Sequence, residues 1–580
     1  MDKSELLIVV GARLNSSRLP GKHLLPLSGR PMIQHLINRL KMVSVPNRIV
    51  VATTNDSYNK PLVDLASTLG VEVFAYEGDI NDLVGRVHCV FSQSRPAYIA
   101  YICGDCPLVE PEFIDRAINA MKAAGKPFLS PVNNEGLIHE GINIYKSTGW
   151  QRLVDACKDN ADREHVGLSL RHCNIPKSDY CSFKDQSIYY SVKHRISVDT
   201  LSDYQLMKTL YENWYKNHPQ KSIVSLKWVI EQLKSDSDLR AINENVKQKS
   251  PFSSYQKLVI ISECSREKGM GQLTRCLRVT RELQERHGLN VELWVLGTNI
   301  NHPQLAQLNF TSFADEDSLL KALETQSGKA VLLDVFPSRL NSVEGWNQVL
   351  QKRQLNRSIT FGLDQTSTWK DYLTKVYIPS FYCAETSSNL NFGWECYLID
   401  TIRRAPVKNR LLIMTGSADT LKYGSWLPQW LDDNLPDFVN PFWLVGPYAQ
   451  EPCLPVHTRL KWEVLHQPQD VNLLLSNAHW VLSVYGIGLF EALGADIPAI
   501  ALPSMPIIAE SEWNAFREAD VTLCFEKNKT ARCDLYSFLK HNEDFDSDRK
   551  AISAEMRKGV ANICADMVSE LNRLLHSPGQ

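Results

Sequence analysis

Residues 6–36 read LLIVV followed by GARLNSSRLPGKHLLPLSGRPMIQHL, and the reading of this stretch decides the fold. The apolar run has the length and composition of a buried strand. The loop after it carries Arg13, Arg18 and Lys22, with Pro20 and Gly21 between the last two cations. A strand that gives way to a polar, basic loop carries the fold itself and leaves the loop free to face a ligand, and the charges select an anion. Gly11 and Gly21 allow close backbone approach, Pro20 stiffens the loop, and the cations neutralise a polyphosphate whose oxygens also accept backbone N–H bonds. A nucleotide triphosphate is the natural ligand; the bland alternative is a merely solvated basic loop.

Outward from this stretch the pattern repeats. RPMIQHLINRLKMV and NKPLVDLASTLG read as helices between the apolar runs RIVVATT, VEVFAY and AYIAYICGD. Continuous apolar strands separated by amphipathic helices predict an α/β unit with a doubly wound parallel sheet over residues 1–235. The polar residues 236–256 then read as a linker. A second series follows in KLVIIS, TRCLRVTRELQERHG, VELWVLG and AVLLDVF, and a third in LLIMTG, FWLVG, HWVLSVYG and IPAIALP. These predict two further α/β lobes, residues 257–405 and 406–580, facing each other across a cleft where the strand ends make a shared site.

The whole chain sets bounds. Its 580 residues suffice for several cores, and 63 Lys+Arg against 65 Asp+Glu leave a net charge of -2. No global positive field therefore argues for nucleic acid, so any anion site is local. The fourteen cysteines lack the paired spacing of a zinc site, and free thiols fit a reducing compartment. Cys103 and Cys106 form one CxxC, in a segment that phosphate and metal chemistry explains better than redox. With no run long enough for a membrane span and no signal-peptide pattern, a cytoplasmic protein is expected.

Two apolar runs read as strands that each end with an aspartate: Asp105 in AYICGDCPLV and Asp199 in HRISVDTLSDY. Either alone is a common turn or helix cap. Together, beside a triphosphate loop, they are the oxygen ligands that a hard Mg²⁺ ion takes while leaving positions for phosphate and water.

ARLNSSRLPGKHLLPLSGRPMIQHLINRL, IVVATTN, DLVGRV, GDCPLV, DREHV and RISVDTLSDY occur in an order that resembles the cytidylyltransferases of the spore coat polysaccharide type, a group similar to the CMP-sialic acid and CMP-Kdo synthetases. The resemblance implies a GT-A-like nucleotidyltransferase domain that acts as a homodimer. It implies that Gly11, Arg13, Ser17, Arg18, Lys22 and Arg86 bind CTP, that Asp105 and Asp199 hold Mg²⁺, and that Arg13 and Lys22 join them in catalysis. The acceptor, an acidic sugar such as a nonulosonate, would meet Tyr145, Arg163 and His165, with Tyr145 standing where the closest relatives are expected to have a glutamate. No general base is evident.

In the C-terminal half, Gly269 and Gly271 precede an amphipathic helix, and Gly486 and Gly488 form a strand-to-helix turn with Glu491 almost one turn further on. Helix N-termini of this kind receive pyrophosphate, and Glu491 could accept bonds from a ribose. A tight turn needed only for packing is the alternative. These segments resemble the UDP-sugar hydrolase of the pseudaminic acid pathway, with its two-lobed GT-B fold, and the resemblance implies a UDP-sugar ligand. Gln272 stands where those relatives carry a catalytic histidine. Having no basic nitrogen, it can orient a nucleophile but not deprotonate it, so a base would have to come from elsewhere, His466 being one candidate. A glycosyltransferase and a non-catalytic nucleotide-sugar binding module remain as alternatives to hydrolysis.

Overall fold

The computed structural model describes residues 5–575 except 17, 132–135, 248–256, 265–269, 299, 301–304, 306–307, 309, 327–328, 386, 467–469, 506–507, 526–531 and 542–546. The chain divides into two compact units, with the division after residue 254.

The first unit is built on strands β1 (Leu6–Gly11), β4 (Asn47–Thr54), β5 (Glu72–Tyr76), β6 (Tyr98–Cys103), β7 (Phe128–Pro131), β8 (Ile142–Lys146) and β9 (Tyr180–Phe183), in the order β5-β4-β1-β6-β8-β7-β9. A small hairpin, β2 (Pro26–Leu27) and β3 (Arg30–Pro31), follows the basic loop. Leu6 to Val10 are wholly buried, because β1 lies between two parallel neighbours with helices on both faces. This is the sheet the apolar runs predict, with one correction: β8 runs antiparallel to β6, pairing Ile99 with Tyr145. The β8 sequence INIYK carries no periodicity that distinguishes the two directions.

Helices Met32–Leu40 and Pro111–Ala124 bury Ile33, Leu36, Leu40, Phe113, Ile114 and Ile118 against one face of this sheet. Helix Leu83–Ser94 covers the other with Val84, Val87 and Phe91. A separate cluster under helices Leu201–Tyr215 and Leu226–Ser235 encloses Leu19 and Leu27, which pins both sides of the basic loop to a core.

The expected linker begins later than residue 236. Asp236 caps a helical turn, Ser237–Ala241, and Leu239 is buried in the first unit's core. Asn243 is 2% exposed and donates to Asp203 at 2.8 Å and to the Arg195 carbonyl at 3.2 Å. The polar composition of this segment serves capping and a buried amide as well as solvent. The rest of the predicted linker, residues 248–256, lies outside the described residues.

The second unit holds two sheets. Strands β10 (Lys257–Glu263), β11 (Asn290–Leu296), β12 (Phe310–Phe313), β13 (Ala330–Asp334), β14 (Thr360–Leu363), β15 (Lys375–Ile378) and β16 (Leu390–Phe392) align in the order β12-β11-β10-β13-β14-β15-β16. Strands β17 (Arg410–Met414), β18 (Asn440–Val445), β19 (Glu463–His466), β20 (Trp480–Val484), β21 (Ala499–Leu502) and β22 (Leu523–Cys524) align as β19-β18-β17-β20-β21-β22. Every pairing in both is parallel. Two parallel sheets with their own cores are the two lobes of a GT-B-like module, and the fold class is α/β throughout.

Candidate active site

The basic loop leaves β1 at Gly11 and returns through Gly21, whose φ of 65° is left-handed and suits a residue without Cβ. Gly21 N–H donates to the Leu14 carbonyl at 2.7 Å and closes the loop. The segment bearing Asp105 packs directly beside the start of this loop. Gly104 N–H donates to the Gly11 carbonyl at 2.9 Å, and a Cβ at Gly104 would stand 2.8 Å from that oxygen. Val198 N–H donates in turn to the Asp105 carbonyl at 2.9 Å. Three segments far apart in sequence are thus stitched together by main-chain bonds, and their side chains converge.

They converge on a cavity of about 290 Å³, lined among others by Arg13, Arg18, Lys22, Arg86, Asp105 and Asp199. Lys22 Nζ donates to Asp105 Oδ2 at 2.7 Å and to Asp199 Oδ1 at 2.8 Å. Burial alone would lower the Lys22 pKa, but the two carboxylates outweigh it and hold the ammonium above the ordinary lysine range. Burial would likewise raise the Asp199 pKa, yet Lys22, Arg18 and Arg195 hold it far below the carboxylate range. Arg18 Nη2 lies 3.0 Å from Asp199 Oδ2, while its buried Nη1 has no hydrogen-bond partner. Arg13 Nη1 donates to the Ile80 carbonyl and to Asn81 Oδ1, both at 3.0 Å. Arg86 Nη2 donates to the same Ile80 carbonyl at 2.8 Å, and its buried Nε is unpartnered.

A second layer steadies the aspartates. Arg195 pairs with both Asp199 and Asp203. Asp203 forms a capping box with Thr200 at the start of helix Leu201–Tyr215 and accepts from the Asp199 N–H at 3.0 Å. Glu140 accepts from the N–H groups of Ser197 and Ile196, at 2.7 and 3.3 Å, and so fixes the strand-like approach to Asp199. Sequence reasoning missed Arg195 and Glu140. The four-residue spacing from Arg195 to Asp199 is visible in the sequence, whereas the reach of Glu140 across 57 positions is not.

The residues present fit a divalent metal on one observation: one carboxylate oxygen of Asp105 and one of Asp199 already share a single cation, the Lys22 ammonium, at 2.7 and 2.8 Å. Oxygen donors of this kind suit Mg²⁺.

Not every expected residue reaches the cavity. His165 lines it, together with Glu164 and His23, which sequence reasoning did not single out. Arg163 does not: its guanidinium points to Asp82, 3.5 Å away. Tyr145, expected at the acceptor, is 7% exposed in the core behind the sheet, edge-on to Phe128 and beside Trp150. Its place on antiparallel β8 turns it away from the site. Ser17 lies outside the described residues. Burial first, then the neighbouring Asp105 charge, pushes the Cys103 thiol up to about 12, which leaves it a poor nucleophile.

In the second unit, Gly271 opens helix Gly271–Glu285, and Gly269 lies outside the described residues. The buried Gln272 donates to Glu263 Oε1 at 3.3 Å, and that carboxylate also accepts from the Phe336 N–H at 2.8 Å. Gly486 caps helix Ile487–Gly494, where a Cβ would meet the Val484 carbonyl oxygen at 4.0 Å, but Gly488 is a packing residue, since a Cβ there would stand 3.1 Å from Met414 Cε. Glu491 does not face a ribose position: it is 4% exposed and ion-paired with Arg278, which also donates to the Leu398 carbonyl at 2.9 Å. His466 is exposed and paired with Glu451 at 2.5 Å. The group missed here is Glu512. Its Oε1 accepts from Tyr485 Oη at 2.9 Å and Ser380 Oγ at 3.1 Å, beside the Gly486 turn, and burial, with Asp364 adding, pushes the carboxyl above its ordinary range.

A basic loop and two carboxylates, Asp105 just past β6 and Asp199 just before helix Leu201–Tyr215, facing one cavity on a mostly parallel sheet define a nucleotidyltransferase. The Cytidylyltransferase family profile matches residues 7–252. The 3-deoxy-manno-octulosonate cytidylyltransferase of Aeromonas salmonicida is 32% identical over 192 residues, 29% of this chain and 74% of that protein. The chain belongs, through its N-terminal unit, to the cytidylyltransferase family. Spore coat polysaccharide biosynthesis protein SpsF of Bacillus subtilis is 26% identical over 215 residues, 36% of this chain and 87% of that protein. Among solved structures, Acinetobacter baumannii MurG is similar with a TM-score of 0.37 and 15% identity, covering 54% of this chain and 99% of that one.

Proposed function

We propose that the N-terminal unit transfers a cytidylyl group from CTP to the hydroxyl of an acidic sugar of the nonulosonate or related 2-keto acid class, releasing pyrophosphate. The observation that carries this reading is the convergence of Arg13, Arg18 and Lys22 with Asp105 and Asp199 on one cavity. The relative named for 3-deoxy-manno-octulosonate supports the acidic-sugar class.

In this mechanism Asp105 and Asp199 would hold Mg²⁺, which supplies Lewis-acid stabilisation of charge on the phosphates. Arg18 brings a buried, unpartnered N–H to the triphosphate, and Lys22 brings an ammonium; both would stabilise charge that builds on the departing pyrophosphate. Arg13 and Arg86, anchored on one carbonyl, would orient the nucleotide from the opposite wall. The acceptor would enter past Glu164 and His165, so that its hydroxyl attacks the α-phosphorus in line. A pyrophosphate-release assay with CTP, Mg²⁺ and a panel of acidic sugars tests this, and turnover with neutral sugars only would refute it. A homodimer through this unit and a cytoplasmic location belong to the same reading; sedimentation of the purified protein tests the first and cell fractionation the second.

For the C-terminal unit the reading is nucleotide-sugar chemistry, with a UDP-sugar as ligand and hydrolysis or glycosyl transfer as the reaction. Glu512 favours a catalytic role over simple binding, because a carboxyl of raised pKa beside the Gly486 turn can move a proton that Gln272 cannot. If calorimetry shows UDP-sugar binding while Glu512→Gln leaves every product assay unchanged, Glu512 is not the base.

A further inference from the structure

We propose that Lys22 serves as a resident counter-cation at the metal position, so that a divalent ion and CTP enter the N-terminal site together and not independently. This rests on the reading of Asp105 and Asp199 as metal ligands. Lys22 Nζ is bonded to one oxygen of each at 2.7 and 2.8 Å, and the residue is 6% exposed. The second oxygen of Asp199 is taken as well, by Arg18 and Arg195. Counted with Asp203, which shares Arg195, three carboxylates face three cationic side chains, and the group is neutral.

A divalent ion arriving alone would have to displace the ammonium and leave it, still charged and still enclosed, beside two new positive charges. A triphosphate removes that obstacle. Its oxygens give the ammonium somewhere to go, and the flexible four-carbon stem of lysine allows the swing. The cavity already holds donors for the same oxygens in the unpartnered Arg18 Nη1 and Arg86 Nε. Lys22 would thus exchange carboxylate partners for phosphate partners as the metal takes the carboxylates, which makes metal and nucleotide affinities mutually dependent by linkage.

The test uses the full chain, with Mn²⁺ as the metal read by the electron paramagnetic resonance of the free ion, with and without a non-hydrolysable CTP analogue. Wild type should bind Mn²⁺ at least ~10-fold more tightly with the analogue than without it, within the range of ordinary linkage. Lys22→Met should bind Mn²⁺ alone at least ~10-fold more tightly than wild type, while Lys22→Arg, which keeps the charge, stays weak. Circular dichroism confirms the fold of each variant, and Lys22→Gln replaces Lys22→Met if the latter fails to fold. Equal Mn²⁺ affinity in wild type and the neutral variant overturns the proposal. Undiminished Mn²⁺ binding by Asp199→Asn in the presence of the analogue would instead overturn the metal-ligand reading beneath it.

Discussion

At Asp199 three cations crowd a carboxylate that still borders an open cavity, with its side chain 22% exposed; at Glu491 one arginine takes the carboxylate and both side chains are 6% exposed. The first arrangement is poised: Arg18 keeps a donor unpaired, and Lys22 is held only by groups that a metal can claim. The second is closed: Glu491 and Asp400 flank Arg278, which also donates to a main-chain carbonyl, and its buried Nε, 3.1 Å from Asp400, makes no hydrogen bond. Buried charge by itself therefore does not mark a site. What marks one is buried charge next to space for a ligand, as at Asp199.

The comparison breaks first at the metal. Asp105→Ala or Asp199→Ala should lower CTP-dependent pyrophosphate release ~10³-fold, since a ligand to the charge-stabilising ion is lost. Steady-state assays at saturating CTP check this, and near wild-type turnover would place the metal elsewhere. On the closed side, Arg278→Ala leaves Glu491 buried without its partner and should cost the second unit about 3–4 kcal/mol, the usual result of breaking one side of a buried pair. Calorimetric unfolding should show the drop while cytidylyl transfer persists. If Arg278→Ala instead improves UDP-sugar binding without loss of stability, Glu491 does contact a ligand.

His35 sharpens the contrast, because it is buried with no carboxylate at all. Burial pushes its imidazole down to about 4, with the ring held to the Leu27 carbonyl at 2.9 Å. The unfolded chain binds a proton near pH 6.5 that the folded chain refuses. Stability from neutral His35 is therefore present above about pH 6.5 and is lost as pH falls toward 4, up to about 3 kcal/mol. Urea unfolding from pH 7 to 4 should show this slope in wild type and a shallower one in His35→Gln. The smallest effect belongs to Tyr145→Phe. With the ring in the core, the acceptor KM should stay within about twofold and stability within about 0.5 kcal/mol. A large rise in KM would return Tyr145 to the acceptor site.

Much of this was legible in the sequence because strand ends are. Apolar runs located β1 and β6, and the polar residues that follow such runs in a parallel sheet fall on one edge, so Arg13, Arg18, Lys22 and Asp105 could be grouped from spacing alone. Asp199 was found the same way although no strand precedes it; the N–H groups of its segment donate to the Asp105 carbonyl and the Glu140 carboxylate. What spacing could not supply was direction and partnership. Tyr145 was misplaced because β8 runs antiparallel. Glu491 was misread because its partner lies 213 positions away, and no local pattern announces a pair at that distance.

Asn243 sits at the exit from the first unit and grips Asp203, which in turn steadies the segment of Asp199. The joint to the second unit therefore starts where the candidate site is still being braced. Recombination that exchanged the second unit for another would be tolerated downstream of Val246 and penalised upstream of Asn243. A protein engineer who cuts at the first polar residue after Ser235 would discard a buttress along with the tether.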